Sequence, residues 1–523
     1  MRIRPAHAAF AACVFFFLAG QLFIPRLGIE DDEALFASGI FGPRSDLYAI
    51  PFGDRLIPVM IMSYIGALKT WLMRPVLNAF GASVWAIREP AVIAGVASIW
   101  LTYLLVRRMA GTRAAVIASI LLATDPLYLL TTCFDWGPVA LQHLLVIAAV
   151  YLIVRFATSG SSLALAGALF PCGLALWDKA VAAWMLAGLS AAALVMFRRD
   201  VVRLATPRRL TIATLAFAAG SLPLITYNIA SRGGTFRGNI GTEHTGLAQK
   251  AAVLLETANG RGLFGYLTAS DQPHAPAGPR STLFPYALAL ALLCLPIAGS
   301  KAVRPAAFAA IATAAAWLLM ALNAGTGGSI HHTILLWPWP IVFVAVSLAA
   351  ASQRSAARYG LIVVTIIVSA ANILVANTYL TEMKQRGGSP SWTDAIFPLS
   401  DRVKPLPMRN AYCADWGIAD SLRLVSRGKI PVHDISGLLK TEGRDAGLMT
   451  RIITEDAAVF ITHASQFEFF PGAAQTLIRE AAQRGYRPES LAIINDSFGR
   501  PTFEVLRFTT NPTSAQPETR TTR

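Results

Sequence analysis

The sequence is short of charge, and shortest of negative charge. Of its 523 residues only 14% are Asp, Glu, Lys or Arg, where an ordinary soluble domain has about 25%. Acidic residues number 30 against 45 Lys and Arg, a formal net charge of +15. Cysteine is scarce too. Cys13, Cys133, Cys172 and Cys294 lie in or beside apolar runs and Cys413 stands alone near the C-terminal end. That spacing excludes a disulfide framework and a zinc cluster, although Cys133 and Cys413 leave one pairing open. There is no Walker loop, no dinucleotide fingerprint after a strand, no His-Glu-x-x-His and no Gly-x-Ser-x-Gly. Their absence argues against an ATP-driven pump and the common soluble hydrolases. Nor does the basic balance call for nucleic acid, since anionic lipid headgroups account for it.

What is present is apolar sequence, 54% of the chain, gathered into runs long enough to cross about 30 Å of hydrocarbon. Eleven membrane spans are expected, at 8–25, 89–106, 114–132, 138–156, 162–177, 180–197, 210–228, 282–299, 304–322, 332–351 and 359–377. Positive residues stay on the cytoplasmic side. Arg2 and Arg4 put the N terminus there, and alternate loops then carry Arg107, Arg108, Arg113, Arg155, Arg198, Arg199, Arg203, Arg208, Arg209, Lys301, Arg304, Arg354 and Arg358. The expected location is a bacterial inner membrane, with the region after 378 in the periplasm. A cleaved signal peptide ending near Ala19 and Gly20 is the alternative for the first run, but the later loops alternate cleanly only if that run stays as a span.

Three parts follow: a membrane region 1–377, a soluble α/β region 378–510 and a disordered tail 511–523. The first outer loop, 26–88, contains apolar stretches Leu56 to Leu68 and Trp71 to Phe80, expected as short interfacial helices; a hairpin of two further spans is the alternative. A second long outer loop, 229–281, offers Arg232-Gly233-Gly234-Thr235-Phe236-Arg237-Gly238, whose glycines suit close approach to a ligand and whose arginines suit phosphate; a plain flexible linker fits equally. In the C-terminal region, strands are expected at 410–414, 430–433, 457–463, 491–495 and 502–508, and helices at 419–426 and 472–484. Asp135-Trp136-Gly137 recurs as Asp415-Trp416-Gly417, without matching flanks.

Polar residues gather at one membrane level, the outer boundary. Four carboxylates, Glu30, Asp31, Asp32 and Glu33, follow the first span. Asp54 and Arg55, Lys69, Arg88 and Glu89, Asp135, Asp178 and Lys179, and His331 and His332 share that level. Asp135 has two roles open to it: a site residue, or the cap of the helix that Pro138 begins. Asp178-Lys179 reads as a self-neutralising turn, with Lys179 also placed to meet a lipid phosphate. His331 and His332, about 100° apart on a helix, are poorly placed to share a metal; they suit a phosphate or simple interfacial hydrogen bonds. Trp337-Pro338-Trp339-Pro340 should interrupt its helix.

This layout resembles the GT-C glycosyltransferases, and within them the protein O-mannosyltransferases and lipid A aminoarabinose transferases. Asp32-Glu33-Ala34-Leu35-Phe36-Ala37 is similar to their first-loop acidic signature. Gly81-Ala82-Ser83 with Arg88-Glu89-Pro90, the basic turn Arg107-Arg108-Met109-Ala110-Gly111, and Gly327 to Pro338 match in the same order. The resemblance implies a GT-C membrane fold and an inverting transfer of sugar from a polyprenyl-phosphate carrier to an envelope lipid, glycan or protein. It implies Asp32 as the base and Glu33 as a residue that orients the acceptor or helps to hold a divalent cation, with Asp135 a second acidic partner. Where relatives have Lys-Pro-Pro or His-Pro-Pro, this chain has Asp54-Arg55-Leu56-Ile57-Pro58, so Arg55 stands in as a contact for the donor phosphate, beside Lys179, Arg232, Arg237, His331 and His332. A flippase for lipid-linked sugars would place ionisable groups or broken helices near the midplane; a catalytically inactive envelope-binding relative would keep the fold without the chemistry.

Overall fold

The computed structural model describes residues 5–41, 48–53, 55–237, 246–269, 275–297, 299–353, 358–440 and 445–510. Asp54, Gly238 and the 511–523 tail lie outside the described residues. The chain divides into two compact units, Met1–Arg26 with Arg44–Gln385, and Leu27–Pro43 with Arg386–Arg523. The acidic run therefore belongs with the C-terminal unit and not with the membrane region where the sequence placed it.

The first unit is helical. Among the described residues seven helices are long and apolar enough to cross a membrane, from Pro5–Phe23 to Ile362–Arg386, and Thr112–Thr124 with Pro126–Cys133 makes an eighth that bends by 60°. The bend falls where Asp125 caps the second piece through the Tyr128 amide and Pro126 takes its first position, both of which start a new helix rather than continue the old one. The count of eleven full spans is not confirmed in three places. Ser162–Asp178, Ala182–Met196 and Phe284–Cys294 are apolar but hold only 10–17 residues, at or below the lower limit of about 17 residues for a crossing. Trp337-Pro338 is a cis peptide, and the helix Trp339–Ala351 begins just after it with Pro340 in its first turn.

The first loop of this unit differs from the expected pair of interfacial helices. Leu68–Phe80 is helical, but Arg55–Met60 is a strand paired antiparallel with Tyr48–Phe52. Pro58 lacks the N–H that a helix interior needs, and Ile57 and Val59 are β-branched, so an edge ribbon suits the segment better. The ribbon is anchored by Trp177, whose indole N–H donates to the Val59 carbonyl at 2.8 Å. Val59, Met60, Leu68, Trp177 and Leu224 form one buried apolar cluster there.

The second unit is a five-stranded mixed sheet in the order Val432–Asp434, Ala411–Cys413, Val459–His463, Pro501–Thr510 and Tyr486–Asn495. The first three strands are parallel and the last two antiparallel. Alternation sends Ala411, Cys413, Val459 and Ile461 into one buried cluster, while Tyr412, Ala414 and Phe460 enter another, so both faces are covered. The helices Ala419–Ser426 and Ala473–Ala482 lie where the sequence put them; Ile396–Val403, Ser436–Lys440 and Ala446–Ile453 are additional.

Candidate active site

In the second unit the acidic run forms the short helix Asp31–Ala34, which has a reciprocal cap: the Glu30 carboxylate accepts from the Glu33 amide at 2.9 Å, and the Glu33 carboxylate accepts from the Glu30 amide at 3.4 Å. Glu33 is 1% exposed and is thus engaged in shaping the turn. Glu30 and Asp31 are buried as well; the cap and the neighbouring helix Ala419–Ser426 take them out of water. Asp31 accepts from the Asp420 amide at 3.3 Å, and Ser421 donates its hydroxyl to the Ile29 carbonyl at 2.9 Å. Asp32 is left half-buried in this run.

This packing concentrates negative charge. Burial is the main force pushing the Asp31 carboxyl well above the usual range, and Asp420, Asp32 and Asp434 add to it. Burial likewise pushes Asp420 up to about 7, opposed by Arg423 and reinforced by Asp434. A carboxyl whose pKa is raised on folding holds its proton in the folded state between about 4 and that higher value, so stability is greatest at low pH and falls as pH rises through the window. Amide exchange in Ala419–Ser426, corrected for intrinsic rate, is expected to become less protected from pH 5 to pH 8, each such proton contributing about 1.4 kcal/mol per pH unit. Asp31→Asn should flatten the profile; an unchanged slope would contradict it.

In the first unit, the ends of four helices and the ribbon build a second charged cluster. Lys69, in the first turn of Leu68–Phe80, contacts Asp135 at 2.6 Å, with side-chain exposures of 11% and 5%. Asp135 has φ +40°, a left-handed conformation that Asp tolerates better than most residues. Its other oxygen accepts from the Ala140 amide at 3.1 Å, so Asp135 both caps the helix Val139–Ser159 and holds a cation. Asp178, fully buried at the end of Ser162–Asp178, accepts from the Gln142 side-chain amide at 3.0 Å. Its Oδ1 is buried without a hydrogen-bond partner among the described residues. Asp135, Lys69 and Lys179 all act on it electrostatically.

A close backbone approach holds this cluster. The Gly66 amide donates to the Asp178 carbonyl at 3.0 Å, and the Ala180 amide donates to the Tyr64 carbonyl at 2.9 Å. A Cβ on Gly66 would stand 2.1 Å from the Trp177 carbonyl oxygen. Gly66→Val is therefore expected to cost at least the 1–3 kcal/mol typical of overpacking, about that range, and to lower the thermal midpoint of the purified chain; an unchanged midpoint would show that the loop does not dock this way.

Lys179 is also within electrostatic reach of His331 and His332. The two imidazole centroids are 4.1 Å apart, and His331 lies 4.8 Å from the Trp136 ring, which stacks on Tyr266 at 4.0 Å. His331 Nδ1 bonds to the Ser329 hydroxyl at 2.7 Å, while His332 Nδ1 and Trp136 Nε1 are buried without partners among the described residues. Two cations, two carboxylates, two imidazoles and an aromatic pair thus share one end of the bundle. Such an arrangement suits a phosphate, which needs cations and N–H donors around it.

Of the expected phosphate contacts, Lys179, His331 and His332 come together. Arg55 is exposed at the start of its strand. Arg232 and Arg237 are exposed on the turn after Pro207–Ala230, where Arg237 donates to the Ser231 carbonyl. None of these three joins the recorded contacts of the cluster. Arg88 is fully buried, donates to the Ile24 carbonyl and lies over the Phe134 ring, a structural post. Among the described residues no three His, Cys, Asp or Glu side chains converge as a metal-binding group.

Residues 67–225 match the family model described as dolichyl-phosphate-mannose-protein mannosyltransferase. A search of curated protein sequences gives no match. Among solved structures, ArnT from Cupriavidus metallidurans bound to undecaprenyl phosphate is similar with a TM-score of 0.61 and 12% identity, over 96% of this chain and 97% of that one. The apo oligosaccharyltransferase of Archaeoglobus fulgidus gives a TM-score of 0.51 and 14% identity, over 98% of this chain and 75% of that one.

Proposed function

From a chain with the fold of the GT-C glycosyltransferases, we propose an inverting glycosyltransferase that moves a sugar from a polyprenyl-phosphate carrier to an envelope lipid, glycan or protein on the periplasmic face. The observation that carries the reading is the cluster of Lys69, Lys179, Asp135, Asp178, His331 and His332 at one end of the helices, in a fold whose solved relative ArnT was crystallised with undecaprenyl phosphate.

The reaction needs two things of the protein. An acceptor hydroxyl attacks the anomeric carbon; the new oxygen–carbon bond forms as the bond from that carbon to the phosphate oxygen breaks, inverting the centre. The hydroxyl proton goes to a carboxylate base, the role that the resemblance to the GT-C transferases gives Asp32, and the electron pair leaves with the lipid phosphate. Lys179, with His331 and His332 as N–H donors, stabilises the charge that grows on that phosphate. Lys69 holds Asp135 and balances the buried carboxylates, so that the net charge around the phosphate stays favourable.

The reading is tested with the purified full chain and a membrane lipid extract that contains polyprenyl-phosphate sugars and acceptors. Free polyprenyl phosphate should appear with wild-type protein and not with Lys179→Met. Equal release by the variant would remove Lys179 from the proposal, and no release by either would contradict the transfer.

A further inference from the structure

A cavity of about 680 Å³ lies between the helices Val139–Ser159, Ser162–Asp178, Ala182–Met196, Pro207–Ala230 and Ser300–Leu322. Its walls are apolar, among them Val150, Ile153, Leu169, Leu189 and Phe308, and its rim carries Arg203, Arg304 and Asp200. The volume falls in the range of about 300–1,000 Å³ that holds small organic ligands.

This is not the charged cluster described above. Gln142, which is bonded to Asp178, and Thr158, which lines the cavity, are sixteen residues apart on one helix, a rise of about 24 Å. The cavity therefore opens toward the other end of the bundle, where the sequence gathers Arg198, Arg199, Arg203, Arg208 and Arg209.

We propose that this cavity is a binding site for one anionic phospholipid, with an acyl chain between the helices and the headgroup phosphate on Arg203 and Arg304. Two observations select that occupant. Three of the wall helices, Val139–Ser159, Pro207–Ala230 and the Ala302–Leu322 stretch, are long and apolar enough to cross a membrane, and the two shorter ones are apolar as well, so the molecules that reach the walls are lipids. The rim charge then selects among lipids: among the described residues Arg304 is exposed and makes no ion pair, and Arg203 pairs with Asp200 alone, at 2.8 Å, with both side chains more than half exposed. An exposed pair of that kind holds its arginine weakly, whereas basic pockets between membrane helices favour anionic headgroups. A neutral zwitterionic lipid would fill the walls equally well but meet the rim with no net charge.

The test uses the full chain purified in detergent, incubated with phosphatidylglycerol or phosphatidylcholine and examined by native mass spectrometry. Wild type should retain phosphatidylglycerol at least about tenfold better, the order expected when two arginines meet a headgroup of net negative charge rather than a neutral one. The double variant Arg203→Gln with Arg304→Gln should lose the preference, and Ala193→Phe, which puts a ring into the cavity wall, should retain neither lipid above background. Equal retention of the two lipids by wild type would overturn the charge assignment. A second readout needs no variant: Cys172 lines the cavity and is half-buried while the other four cysteines are buried. Its alkylation should slow when phosphatidylglycerol saturates the protein; an unchanged rate would place the lipid elsewhere and overturn the site.

Discussion

Asp32→Asn is expected to lower sugar transfer by about 10² to 10⁴-fold, the range contributed by a positioned general base, while the protein remains folded. The variant keeps the shape of the side chain and removes its ability to accept a proton. Folding should tolerate it because the bonds that build the turn belong to neighbours: Glu30 and Glu33 form the reciprocal cap, and Asp31 accepts from Asp420. Glu33→Gln is the matching control. Its expected effect is on stability, since Glu33 is buried in the cap, and a Gln still accepts from the Glu30 amide. Normal transfer by Asp32→Asn would dismiss Asp32 as the base; a large loss in Glu33→Gln with unchanged stability would show that Glu33 has a role beyond the cap.

The second large effect is expected at Lys69. Lys69→Met should destabilise the first unit by about 3–5 kcal/mol, because removing one partner of a buried ion pair leaves the other charge uncompensated. Here Asp135 would lose the cation it pairs with and Asp178 one of the two lysines that act on it, both carboxylates nearly inaccessible to water. Asp135→Asn in the Lys69→Met background should recover much of the loss, and the double-mutant cycle separates pairing from packing. Thermal unfolding of the purified chain measures both. If the double variant is no more stable than Lys69→Met alone, the ion pair is not what holds Leu68–Phe80 against the 135–140 turn.

Much of the fold is legible in the sequence because hydropathy is local. The eleven apolar runs fall on apolar helical stretches, but run length cannot show that Pro126 splits one of them or that three form helices of only 10–17 residues. In the first loop, Leu56 to Leu68 has an apolar content that fits an interfacial helix and a ribbon equally; Pro58 and the β-branched residues around it are the signal for the strand. The C-terminal sheet is readable from its alternation, where Ala411 and Cys413 face one way and Tyr412 the other.

The site is less legible, because its partners meet only in three dimensions. Lys69 stands at the edge of an apolar stretch and Asp135 at the end of a span, 66 positions on; no local pattern joins them. Asp178-Lys179 reads as a pair that neutralises itself, but Asp178 bonds to Gln142 and Lys179 also acts electrostatically on His331 and His332. The arginines of the 232–237 turn have the right chemistry for phosphate and are exposed instead. The two Asp-Trp-Gly tripeptides share no surroundings: Asp135 pairs with Lys69, whereas Asp415 accepts from the Phe469 and Phe470 amides and is bonded to buried His463 at 2.7 Å.

The central claim is that a lipid-linked sugar is consumed by this chain with Asp32 as the base. Mass spectrometry of envelope lipids and glycans, compared among cells with the gene, without it, and with Asp32→Asn alone, tests it most directly. The account predicts that a polyprenyl-phosphate sugar accumulates and one envelope glycan is lost in both the deletion and the Asp32→Asn cells. Unchanged lipid-linked sugars and glycans in the deletion, under conditions where the wild-type protein is made, would contradict it.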